Sequence, residues 1–492
     1  MLNDLETWDP MPLRRALQRS GYTQQGLVAA GLDGVPYQGR SGVGFQARLP
    51  PGSPLAVMAR LFLLDEAVPL PEVAAVLGLE VNPLLALGLL QLTEGLVRSR
   101  LQLTPLADGW FAGDFLRRHA EAPADYVMGF SPVTQLLTSL TPRLLSGSAL
   151  ELGCGAAWLA LHLRRGGLAV TGTDICRRGL EIARFNERLA GLSGIEWLEG
   201  SWFDPVGDRQ FDLIVCNPPY VQSPGGDLTY RETAPGEENP CAALLRQAVS
   251  RLKPGGFCCM VLNWSHATAE DWTEAPLSWA PAEGTQRFLF QARIQSPADY
   301  AWQWIKHDPA FPGAAEAAAE VDRWLAHFRA RGIRAVSSGF IILRRVDSGE
   351  SWTRTESRAS TGIHPEAGEE IRRLFDNESW LRTAPDEATL LDSLYQVPDG
   401  ISAVMNTTLG NAGWQNLSIR LTSPGRVAYD GPVDENLLRL LEMIRAGQPP
   451  RAMVEELRAK PEFAGITVLE SQIAGLTREL VRYALIQRYI AA

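Results

Sequence analysis

The sequence predicts an α/β fold: an open, largely parallel sheet in the middle of the chain, preceded by a helical domain and followed by an α+β domain. Three stretches carry that expectation. Ala149 to Trp158 is an apolar strand that breaks into a Gly153-Cys154-Gly155 turn and re-enters as a helix. Leu168 to Asp174 is a second apolar run, and it ends on a carboxylate. Phe211 to Tyr220 is a third, apolar enough around Leu213 to Val215 to be buried on both faces, and it stops at two prolines that cannot continue a ladder.

With 492 residues, 46% hydrophobic and 21% charged, the chain has room for about three domains at ~150 residues each. The expected division is a helical, winged-helix-like domain over 1–120, the sheet domain over 121–347, a linker over 348–362 and an α+β accessory domain over 363–492. No apolar run is expected to reach membrane-spanning length, and Met1 to Pro10 is acidic where a secretory leader would be basic and then apolar. A cytoplasmic protein with no membrane partner is expected. Cys154, Cys176, Cys216, Cys241, Cys258 and Cys259 show no C-x-x-C spacing and none lies in either flanking region, which points to reduced, buried thiols. The histidines are scattered and suggest no metal. A net charge of −10 works against tight, nonspecific binding to phosphate backbones.

In the leading domain, Leu55, Met58, Ala59 and Phe62 recur at helical spacing, and Pro71 opens a short helix that Gly78 closes. Asn82-Pro83 caps a third helix, with Leu85, Leu89 and Leu92 on one face and Gly95 at its end, and Leu101 and Leu103 alternate around Gln102 as a β-wing. This looks like a winged helix, but Leu84 to Thr93 holds neither Lys nor Arg to reach base edges. Docking or dimerisation is expected of it rather than nucleic-acid reading. Tyr126 to Pro132 follows, then a helix to about Leu145.

In the sheet domain, Gly153 and Gly155 let the backbone pass close beneath a ligand. Asp174 lies 23 positions after Glu151, near the spacing of about 20 at which a carboxylate takes the ribose hydroxyls of a nucleotide. Ile175 would lie against the base. A helix from about Arg178 to Leu189, a strand over Ile195 to Leu198 and the turn Glu199-Gly200-Ser201-Trp202-Phe203 come next. The ledge Asn217-Pro218-Pro219-Tyr220 then holds the Asn217 amide oxygen, the Pro218 carbonyl and the Tyr220 ring together. Two acceptors beside an aromatic face suit a planar –NH2 group, which offers two N–H donors and a π face.

Asn-Pro-Pro-Tyr resembles the signature of S-adenosylmethionine (SAM) dependent methyltransferases that modify planar nitrogens. The wording Phe-Asp-Leu-Ile-Val-Cys-Asn-Pro-Pro-Tyr-Val is most similar to the HemK/PrmC group, and Glu151-Leu152-Gly153-Cys154-Gly155 resembles the first motif of class I methyltransferases. The resemblance spans about residues 125 to 265 and neither flank. It implies a Rossmann-like class I methyltransferase sheet with SAM held by Glu151, Gly153, Gly155, Asp174, Ile175, Ser201, Trp202, Phe203 and Asn217. It places catalysis at Asn217, Pro218, Pro219 and Tyr220. HemK-like proteins usually carry an acid before Trp-Phe, against the adenine amino group, where this chain has Ser201. The segment around Phe130 would cover the cofactor.

Past the ledge, Val221 to Pro240 is rich in Gly, Pro and acids (Asp227, Glu232, Glu237, Glu238) and is expected to be a substrate lid. A helix over Leu244 to Leu252, a turn at Lys253 to Gly256 and a fifth strand over Phe257 to Asn263 follow. Arg287 to Ile294, Ala315 to Arg331 and Ser338 to Arg345 continue as strand, helix and strand, with a helical insertion around Tyr300 to Lys306. In the trailing domain Leu417, Ile419 and Leu421 alternate as on a half-buried strand. Leu437, Leu440, Leu441 and Ile444, then Ile473, Leu476, Leu480 and Tyr483, form helical stripes that read as core.

These readings converge on methyl transfer from SAM to a planar nitrogen of a macromolecule. A protein glutamine is the first expectation, and adenine N6 or guanine N2 of RNA or DNA is the alternative, because the same four residues serve those amines. The winged-helix-like domain is shared with small-molecule O-methyltransferases, and a non-catalytic SAM-binding protein would show the same motifs. No oligomeric state is predicted.

Overall fold

The computed structural model describes residues 2–32, 48–115, 125–225, 239–268, 270–306, 314–347, 350–357, 363–365, 367–410, 413–463 and 465–489. Helices Met11–Arg19 (α1) and Gln24–Ala29 (α2) lead into Pro54–Phe62 (α3), Leu70–Leu77 (α4) and Val81–Leu87 (α5). Ser53 caps α3 by accepting from Ala56 N–H (3.3 Å), and Gly78, at φ +62°, stops α4. The apolar stretch Leu70–Leu87 does reach 18 residues, longer than the sequence reading allowed, but this glycine breaks it into α4 and α5.

The third helix is shorter than expected. Gly88 turns left-handed at φ 80° and ends α5, so Leu89 and Leu92 leave the predicted helical face. Leu90–Thr93 and Leu96–Ser99 are strands instead, and with Val68–Pro69 they form an antiparallel sheet. Numbering Val68–Pro69 as β1 makes them β2 and β3, and they are the wing. The residues read as the wing, Gln102–Leu106 (β4), pair with Gly109–Gly113 (β5) in a separate hairpin.

The sheet domain holds Ser148–Leu152 (β6), Ala169–Asp174 (β7), Glu196–Glu199 (β8), Phe211–Cys216 (β9), Leu252–His266 (β10), Thr285–Gln295 (β11), Ala335–Arg345 (β12) and Trp352–Ser357 (β13). They form one sheet in the order β13-β11-β12-β10-β9-β6-β7-β8. Strands β8, β7, β6, β9 and β10 run parallel, and β12 lies antiparallel between β10 and β11. Its helices are Pro132–Leu140 (α6), Trp158–Arg165 (α7), Arg177–Leu189 (α8), Pro240–Ala248 (α9), Glu274–Ser278 (α10), Pro297–Lys306 (α11) and Ala314–Ala330 (α12). Leu213, Ile214 and Val215 are fully buried, as a central strand covered on both faces requires. The expected turn at Lys253 to Gly256 is an irregularity inside β10, where the register to β9 jumps between Leu252 and Phe257.

The stretch 348–362, expected as a linker, carries β13. Its polar side chains hide it from a search for apolar alternation, yet Arg287 donates to the Thr353 hydroxyl (3.0 and 2.7 Å) and so ties it to β11.

Residues 360–492, with 138–143 and 346–352, form a second compact unit with its own core. In it Leu440, Ile444, Ile473 and Leu480 are buried as the stripes predict. Leu417 is not. The pairing of the strands Ser402–Gly410 and Gly413–Thr422 shifts from Asn406↔Ser418 to Thr407↔Asn416, which leaves Leu417 in a bulge, 70% exposed.

Candidate active site

The strand order reverses between β6 and β9, the place where open α/β sheets bind ligands beyond the carboxyl ends of their strands. A cavity of about 240 Å³ lies there. The turns after β6 and β7 form one wall, Gly200 to Trp202 another, Asn217 and Pro219 a third, and Asp125 to Gly129 with Thr134 and Phe111 the rest.

Each wall follows from local sequence. After β6 the chain turns through Gly153 (φ +62°) and Gly155 (φ +50°), and Ala157 (φ +72°) precedes α7. A Cβ on Gly155 would meet no protein atom within 4 Å, while one on Gly153 would stand 3.1 Å from the Trp202 ring. Glu151 lies beneath the turn, accepting from Ala160 N–H (2.7 Å). Burial, opposed by that N–H and helped by the charge of Asp174, pushes its carboxyl up to about 8. At the end of β7, Asp174 accepts from Gly155 N–H through one oxygen and from Cys176 N–H through the other, both at 2.7 Å. Burial holds its pKa above the ordinary value, and the two N–H groups pull it back. Ile175, 69% exposed, edges the same cavity, as does Ser201.

Phe203, expected among the cofactor contacts, does not line the cavity. Trp202 sits at φ +46°, and past that reversal Phe203 enters the core beside Leu150 and Ile214, 1% exposed.

At the end of β9 the Asn217 amide donates to the Thr134 hydroxyl (3.1 Å). Its Oδ1 is buried with no hydrogen-bond partner among the described residues. Pro219 lines the cavity, and Pro218 is buried and does not. The Tyr220 ring, read from the sequence as a stacking face, packs instead between the sheet core and a second cluster that includes Tyr300 and Trp324. Burial raises its phenol above the ordinary value. Most of the expected lid, residues 226–238, lies outside the described residues.

The segment before Phe130, where a cover for the cofactor was expected, supplies Asp125 to Gly129 to the cavity wall, and sequence reasoning missed only how the leading domain holds it. Asp114, just past β5, accepts from Val127 N–H (2.7 Å) and pairs with Arg178, which also donates to the Asp125 carbonyl (3.0 Å). The strap over Asp125 to Gly129 is thereby held at the cavity. A Cβ on Gly113 would stand 2.3 Å from Gly129 Cα, so glycine is needed at that crossing. Asn186 on α8 accepts from Ala112 N–H (2.7 Å) and donates to the carbonyls of Ala112 (2.9 Å) and Ala156 (3.0 Å), joining β5 to the glycine turn. Phe130 packs edge-on against Trp158, with ring centroids 4.6 Å apart. The Trp158 indole N–H is buried without a partner among the described residues.

Residues 129–275 match the family described as the methyltransferase small domain. The sheet domain is a class I methyltransferase fold. Numbered 1 to 7 from β6, its strands run 3-2-1-4-5-7-6, with β13 added at the edge. Curated relatives of the methyltransferase domain include the release factor glutamine methyltransferase of Aliivibrio fischeri, 32% identical over 128 residues that make up 21% of this chain and 45% of the relative. That of Bordetella pertussis is 35% identical over 156 residues, 28% of this chain and 57% of the relative. The chain thus spans about half the length of the curated relatives it matches. Among solved structures, a SAM-dependent methyltransferase from Thiobacillus denitrificans, in complex with S-adenosyl-L-homocysteine, is 14% identical with a TM-score of 0.28, over 46% of this chain and 97% of that one. Residues 43–100 and 372–488 match two families described as domains of unknown function, DUF7059 and DUF7782.

Proposed function

We propose that this chain transfers a methyl group from SAM to the side-chain amide nitrogen of a glutamine in a protein. The observation that carries this reading is Asn217 Oδ1, an orphaned buried acceptor on a residue that shares its cavity with the glycine turn and Asp174. An unsatisfied buried acceptor costs about 1–3 kcal/mol, and a substrate N–H would recover it. The name of the curated relatives, release factor glutamine methyltransferase, supports an amide in a protein as the acceptor.

The residues present fit the cofactor. Gly155 leaves open the space a side chain would fill, and each Asp174 oxygen, with one N–H bond already made, keeps a lone pair for a ribose hydroxyl. Ile175 offers an apolar surface and Ser201 a hydroxyl for the adenine. The unpartnered Trp158 N–H, at the first position of α7, suits a carboxylate. Bound there, SAM supplies an electrophilic methyl on its sulfonium.

An amide nitrogen is a poor nucleophile because its lone pair is delocalised. Asn217 Oδ1, the acceptor of the ledge that faces the cavity, takes one of its N–H groups, which favours a pyramidal nitrogen and localises that pair. The prolines fix the ledge, and the Thr134 hydroxyl keeps the Asn217 amide from rotating. Holding the nitrogen in line is worth up to ~7–11 kcal/mol. Asn217→Ala is expected to lower turnover by about a hundredfold, the scale of losing one preorganised polar group, with affinity for S-adenosylhomocysteine unchanged in calorimetry. Equal loss of both would assign Asn217 to the cofactor.

A further inference from the structure

We infer that Asn263 and Tyr300 are positioning residues for the acceptor, because they staple both ends of the loop that leaves the Asn217–Tyr220 ledge. This rests on the role given to Asn217 above. Asn263 on β10 and Tyr300 on α11 are buried, at 2% and 1% exposure. The Tyr300 hydroxyl donates to Asn263 Oδ1 (2.9 Å) and accepts from Gln222 N–H (3.2 Å), while Gln222 Nε2 donates to the same Oδ1 (3.2 Å). At the far end of the loop, Asn239 Nδ2 donates to the Asn263 main-chain carbonyl (3.0 Å), and Asn239 Oδ1 accepts from Cys241 N–H (2.9 Å) to cap α9. One residue of the sheet therefore anchors positions 222 and 239.

Tyr300 lies beyond the segment that matches the methyltransferase family, on the helical insertion formed by α11 and α12. The insertion also packs Ile305, Trp324 and Phe328 around Val221 and Tyr220. Gln222 is five residues past Asn217, and the stretch between contains two prolines, so a shift at Gln222 passes along a stiff segment to the amide oxygen. Removing the Tyr300 hydroxyl leaves the Gln222 N–H without its acceptor and frees the ledge at its exit.

Tyr300→Phe keeps the ring and deletes the bond. Tyr22→Phe is the comparator for stability alone: Tyr22 is fully buried in the leading domain and its hydroxyl donates to the Leu103 carbonyl (2.6 Å), away from the cavity. With the full chain, transfer from methyl-tritiated SAM to protein of a cell extract would be measured at saturating SAM. Affinity for S-adenosylhomocysteine, the thermal midpoint and amide exchange at Val221 and Gln222 would be followed alongside. Tyr300→Phe is expected to lose transfer about ten- to a hundredfold and to speed exchange at Gln222, with cofactor affinity held within twofold. Tyr22→Phe is expected to lose thermal midpoint and keep its transfer rate. Transfer by Tyr300→Phe within twofold of wild type, or lost only in step with cofactor affinity, overturns the inference. A wild-type chain that binds S-adenosylhomocysteine and transfers no label contradicts the functional reading itself and removes this inference with it.

Discussion

Glu151 lies at the end of β6, 3% exposed, with its carboxyl pushed up to about 8 from an ordinary 4.5. The folded chain therefore keeps a proton that the unfolded chain releases between about pH 4.5 and 8. Stability from this group is fully present below pH 4.5 and is lost as pH rises through 8. Glu151→Gln removes the titration and keeps an acceptor for Ala160 N–H. Thermal midpoints of wild type and variant are expected to lie close at pH 5, with wild type falling behind by pH 9 at roughly 2–4 °C per kcal/mol. Parallel midpoint curves would mean the folded carboxyl titrates normally. At this scale, Asn217, Asp174 and the two glycines were legible because each ends or bends a recognisable strand. Thr134 was not: it meets Asn217 from 83 positions away, and nothing around either residue signals the pairing. Phe203 was misjudged because only the backbone reversal at Trp202 decides which of two adjacent aromatic rings faces the cavity.

The strap is an element held by another element. Its clamp is Asp114, which is 9% exposed and takes the Val127 N–H and the Arg178 guanidinium. Asp114→Asn is expected to weaken binding of S-adenosylhomocysteine by about tenfold, the scale of a charged hydrogen bond. Asp108→Asn, which faces Arg165 at 3.8 Å from a 70% exposed position, should change it less than twofold, as surface pairs do. Equal effects in calorimetry would mean that the strap does not close the cofactor site. Elements were legible where apolar periodicity marks them, as in β6, β7, β9 and the stripe helices. They were misread where one backbone conformation overrides the pattern: Gly88 ends a helix whose leucine spacing continues, and the bulge at Leu417 turns a strand residue outward. β13 escaped notice because Trp352 is its one buried apolar residue and the polar stretch that follows is held by hydrogen bonds from Arg287.

Across the whole chain, the methyltransferase domain with its leading domain and the C-terminal unit each carry a core of their own. The order of the sheet was legible from the succession of strands and helices, because a parallel sheet with covered faces leaves few ways to wind it. The docking of β5 onto α8 and the glycine turn was not, since the buried asparagine, the ion pair and the Phe111–Trp158 ring contact that make it join distant parts of the sequence. A net charge of −10 favours a protein acceptor over a phosphate backbone. The central claim, methyl transfer to an amide nitrogen of a protein, is tested most directly by incubating the full chain with methyl-tritiated SAM and a cell extract, then digesting the labelled material with protease or nuclease. Protease is predicted to release the label, with nuclease leaving it in place. Label removed by nuclease and resistant to protease would contradict the account and make the acceptor a base amine.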